Sequence, residues 1–83
     1  MNFTAAVTRE QNVTFTVLLV KSGTISSSSR ESARNSAPSN LPRPIILAEQ
    51  KSSGRMNYHG RTDIVKFLSN VSYQALPWKD YTV

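Results

Sequence analysis

The sequence predicts a small α+β fold: a three- to four-stranded sheet carrying one amphipathic helix, in the order β-(α)-β-β-α. Three observations predict it. Residues 13–20 alternate in the period of a strand. Residues 64–71 repeat in the period of a helix. Between them lies a serine-rich stretch long enough to cross from one strand to a parallel neighbour.

Near the N-terminus, Phe3, Ala5 and Val7 alternate with Thr4, Ala6 and Thr8. This is strand periodicity, and Arg9-Glu10-Gln11-Asn12 breaks it. The segment Val13-Thr14-Phe15-Thr16-Val17-Leu18-Leu19-Val20 is the strongest strand signal, β-branched and aromatic with a period of two. Its second half is apolar at consecutive positions, which places it centrally in a sheet. The first strand either pairs with it as a hairpin or belongs to a fraying terminus.

Residues 22–41 contain eight serines in twenty positions, and only Ile25 and Leu41 are large aliphatics. Composition predicts a mobile connection. Against that, Ile25, Ala33, Ala37 and Leu41 recur at multiples of four, and Ser29 can cap a short helix before Pro38. One or two helical turns around Ser29–Ala37, poorly packed and mobile within the 22–41 connection, are therefore expected. A helical crossover would make the flanking strands parallel; a plain loop would leave an antiparallel sheet.

Pro42-Arg43-Pro44 forces an extended entry into Ile45-Ile46-Leu47-Ala48, a run suited to a buried strand. Lys51-Ser52-Ser53-Gly54 reads as a hairpin turn, with Arg55-Met56-Asn57-Tyr58-His59 returning. Gly60 or Thr62 can cap a helix with Asp63 in its first turn. Ile64, Leu68 and Val71 form its apolar stripe, widened by Val65 and Phe67. The tail from Trp78 to Val83 is expected to dock back on the sheet. The predicted core is Phe15, Val17, Leu19, Ile46, Leu47, Ile64, Leu68 and Val71.

With 83 residues the chain is read as a single domain, 1–83. It contains no cysteine, so disulfides and thiolate metal sites are excluded. No apolar run approaches the length of a membrane span, and the N-terminus lacks the basic region of a secretory signal. An intracellular, cytoplasmic protein with no membrane partner is the expectation.

The net charge of +5 is unevenly distributed. Residues 21–61 hold seven basic side chains against two acidic ones, whereas the segments on either side are balanced. A clustered excess points to an anionic partner. No phosphate-binding glycine loop, nucleophile elbow or metal-ligand spacing is present. His59, the sole histidine, reads as a strand-end residue rather than a general base or ligand. The expectation is a chain that is not an enzyme and takes no cofactor and no metal.

Lys51, Arg55, Tyr58, His59 and Arg61 gather on or beside one predicted hairpin. Basic side chains hold phosphates and an aromatic ring stacks a base, so this hairpin is the candidate nucleic-acid contact. Tyr58 also suits a core position on that strand. The alternative is a protein–protein adaptor or regulator that binds through Trp78 and Tyr81 or through a free sheet edge.

Overall fold

The computed structural model describes residues 2–10, 12–37, 40–51 and 55–82. The elements are β1 (Asn2–Glu10), β2 (Val13–Val20), α1 (Arg30–Asn35), β3 (Ile45–Gln50), β4 (Met56–His59), α2 (Thr62–Leu68), a 3-10 turn (Tyr73–Ala75) and β5 (Trp78–Thr82). The chain is a small α+β fold with a five-stranded sheet and two helices. The expected three to four strands become five because the aromatic tail forms β5, in antiparallel register with β1 (Phe3 opposite Tyr81, Ala6 opposite Trp78).

The sheet order is β4-β3-β2-β1-β5, so β2 is central as its apolar run requires. β1 and β2 form an antiparallel hairpin closed at Glu10 and Val13. Asn12 turns that corner at φ 67°, a left-handed conformation that asparagine tolerates, and its Oδ1 accepts from Arg9 at 3.2 Å. β2 and β3 are parallel (Val17 opposite Ile46), which selects the crossover reading of the serine-rich segment. β3 and β4 are antiparallel. The hairpin turn expected at Lys51–Gly54 falls largely outside the described residues, but the Lys51 amide donates to the Arg55 carbonyl at 2.7 Å.

Both faces of the sheet are covered. Ala6, Phe15, Val17, Ile46 and Ala48 meet Ile64 and Leu68 of α2, with Leu76 closing that layer. On the opposite face Ala5, Leu18, Ile45 and Leu47 meet Ile25, Ala37 and Leu41 of the crossover. Consecutive residues of β2 thus belong to different cores, which explains an apolar run in a strand of period two.

Two expected core residues lie elsewhere. Leu19 is 37 % exposed, because it points to the α2 face beyond the reach of that seven-residue helix. Val71 follows the end of α2 and is only partly buried. The expected caps also differ. α2 begins after Arg61, whose carbonyl accepts from the Val65 amide at 3.0 Å, and no side chain caps it. Ser29 precedes α1 as expected, but its side chain makes no cap hydrogen bond.

The crossover is tied down by a buried carboxylate. Glu49 is 0 % exposed, on the same sheet face as Leu47. Its Oε2 accepts from the Gly23 amide at 2.9 Å and the Ile25 amide at 3.2 Å. Its Oε1 lies 2.9 Å from the Lys51 ammonium. That ammonium, aided by the Ile25 amide, holds the carboxyl below the usual carboxylate range despite burial. Gly23 takes φ 91° to bring its amide round.

Candidate nucleic-acid interface

β4 is a four-residue edge strand, and its alternation separates the predicted contact residues. Tyr58 lies opposite Ala48 and shares its face, the one covered by α2. His59 lies opposite Leu47 and faces the crossover. Tyr58 and His59, both expected as contact residues on or beside this hairpin, therefore lie on opposite faces of the sheet.

On the α2 face, a cavity of about 390 Å3 runs between β4 and the α2–3-10 connection. Arg55, Met56, Tyr58, Val71 and Tyr73 line it, with Ser69 and Ser72. Arg55 is exposed, and Tyr58 is half-buried beside the core. Burial pushes the Tyr58 phenol up, so it stays protonated and able to donate. Tyr73 was not among the predicted residues, since nothing in the sequence brings 73 next to 58. Lys51 is partly neutralised by its pairing with Glu49.

On the crossover face, a second cavity of about 370 Å3 is lined by Arg34, Arg43, Pro44, His59, Gly60 and Arg61. Arg34 comes from α1, at the other end of the chain segment from His59. Its Nε donates to the Ile45 carbonyl at 3.2 Å. Its Nη2 reaches the His59 carbonyl at 3.1 Å and His59 Nδ1 at 2.8 Å. A guanidinium can only donate, so Nδ1 is the accepting nitrogen and the ring is neutral. Burial, with Arg30 and Arg34 nearby, pulls the His59 pKa down against the opposing pull of Glu31. Arg61 Nε pairs with Asp63 at 2.9 Å.

The aromatics of the alternative site contribute to the fold. Trp78 Nε1 donates to the Tyr73 carbonyl at 2.7 Å, and Tyr81 stacks on Phe3 with centroids 5.2 Å apart. β5 is the other edge of the sheet. Among the described residues, no group of three or more His, Asp or Glu is placed to hold a metal. No helix among them is long and apolar enough to cross a membrane. No protein-family model, curated protein or solved structure matches the chain.

Proposed function

We propose that the chain is a non-catalytic binding module that contacts single-stranded nucleic acid along β4. Arg55 holds a backbone phosphate, and an unpaired base enters the groove beside Tyr58 and Tyr73. Lys51 and Arg61 add to the positive field around the same edge, while the neutral His59 ring adds none. The observation that carries this reading is the groove itself: one exposed cation and two tyrosines on a single cavity large enough for a base. Aromatic side chains take bases without regard to sequence, and cations take the phosphates between them.

The test is a titration of single-stranded RNA and DNA oligomers at two salt concentrations. Arg55→Gln should flatten the slope of log affinity against log salt by roughly 0.7. Tyr58→Leu and Tyr73→Leu should weaken binding by about 1–3 kcal/mol each with the slope nearly unchanged. No binding of either polymer at low salt removes the reading. The free edge of β5 supports a protein partner instead; that reading gains if Arg55→Gln leaves all binding intact.

A further inference from the structure

We propose that the cavity on the crossover face, between Arg43 and Arg61, is a receptor for a phosphate group, independent of the base groove on the opposite face. Arg34, Arg43, His59 and Arg61 all line it, and no residue is shared with that groove.

The site is built around donors with different duties. Arg34 is largely used up by its bonds to Ile45, His59 and Glu31, and its side chain is only 19 % exposed. It supplies a fixed positive charge at the cavity wall and few free N–H groups. Arg61 engages Asp63 through Nε, which leaves both terminal nitrogens for a ligand. Arg43 is exposed and makes no ion pair among the described residues. Its whole fork is available for bidentate contact with phosphate oxygens.

Arg43 is also held in place from below. Thr16, 0 % exposed on β2, grips the segment on both sides of it. Its Oγ1 donates to the Pro42 carbonyl at 2.7 Å, and its amide donates to the Pro44 carbonyl at 3.1 Å. The two prolines fix φ on either side of the arginine. An exposed arginine on so constrained a backbone loses less entropy when it binds than one on a loop. Gly60, also on the cavity lining, approaches β3 so closely that a Cβ there would fall 2.5 Å from Ile46 Cδ1. Glu31 and Asp63 are the nearby acids, outnumbered by Arg30, Arg34, Arg43 and Arg61. The surplus favours an anion with more than one negative charge.

The shared chemistry is a phosphate group, either the terminal phosphate of a nucleic-acid strand or a small free phosphate compound. The experiment titrates the full chain with pyrophosphate, and separately with an oligonucleotide bearing a 5′-phosphate or a 5′-hydroxyl. Amide shifts are followed by NMR. Pyrophosphate should perturb Arg43, Ile45 and residues 59–61 but not 69–73. Arg43→Gln and Arg61→Gln should each weaken it about tenfold, and Arg55→Gln by less than about twofold. Arg43→Lys should recover only part of the loss, because an ammonium lacks the fork. An Arg43-dependent preference for the 5′-phosphorylated strand identifies the terminal phosphate as the source. Pyrophosphate binding without that preference identifies a free phosphate compound. No site-specific shifts with pyrophosphate or either strand, or equal losses from Arg43→Gln and Arg55→Gln, overturns the proposal. Strand binding that is unchanged by Arg55→Gln and Tyr58→Leu overturns the groove reading and leaves this one standing.

Discussion

Arg34 Nη2 lies 2.8 Å from His59 Nδ1, joining α1 to the edge strand β4 across 25 positions of sequence. The contact requires an unprotonated Nδ1, so it ties the docking of the crossover to the charge of one ring.

Stability should therefore depend on pH in the weakly acidic range. The folded-state pKa of His59 lies below its ordinary value of 6.5, so the folded protein binds fewer protons there than the unfolded chain. The contribution is complete above 6.5 and is lost as pH falls through the lower folded value. Glu31 and Glu49, both shifted downward, add their own losses only below the ordinary carboxyl value of 4.5. Melting temperature measured against pH should begin to fall near 6.5 in the wild type. In His59→Gln, which lacks the titrating ring, the fall should start only in the carboxylate range.

Glu49→Ala should destabilise the fold by about 1–3 kcal/mol, because it leaves the buried Ile25 amide and the part-buried Gly23 amide without this acceptor. Hydrogen exchange gives the more specific readout. The Ile25 amide should be protected in the wild type and exchange faster in the variant. Residues 26–29, exposed and serine-only, should exchange quickly in both.

Gly60→Ala should cost about 1–3 kcal/mol, since the new methyl would fall 2.5 Å from Ile46 Cδ1 and that buried side chain must shift within its packing. Chemical denaturation measures this. An unchanged midpoint would show that Ile46 Cδ1 can turn aside freely.

Leu68→Ala and Leu19→Ala separate covered from uncovered sheet. Leu68 is 1 % exposed at the centre of the α2 layer, and its truncation should cost about 2–5 kcal/mol. Leu19 lies past the helix, and its truncation should cost less than about 1 kcal/mol. Equilibrium unfolding of the two variants compares them directly.

Trp78→Phe should lower stability by about 1 kcal/mol through loss of the bond to the Tyr73 carbonyl, with the ring still packed. If Trp78 is mainly a partner contact, unfolding of this variant will match the wild type.

The local sequence determined the strands and helices whose periodicity is complete within a few residues. Val13–Val20 and Ile64–Leu68 could be read because side-chain burial there repeats at the spacing of the backbone itself. The uneven charge was legible for the same reason, being a property of order along the chain. Tertiary structure decided the rest. The tail became β5 because the outer edge of β1 was free to pair with it, a fact of sheet order that composition does not contain. The crossover docked because Glu49, which reads in sequence as an ordinary surface acid, is buried and accepts from Gly23 and Ile25. The basic hairpin divided in two because adjacent strand residues face opposite ways, sending Tyr58 to Tyr73 and His59 to Arg34. Neither partner is near its mate in sequence, so only packing could bring them together.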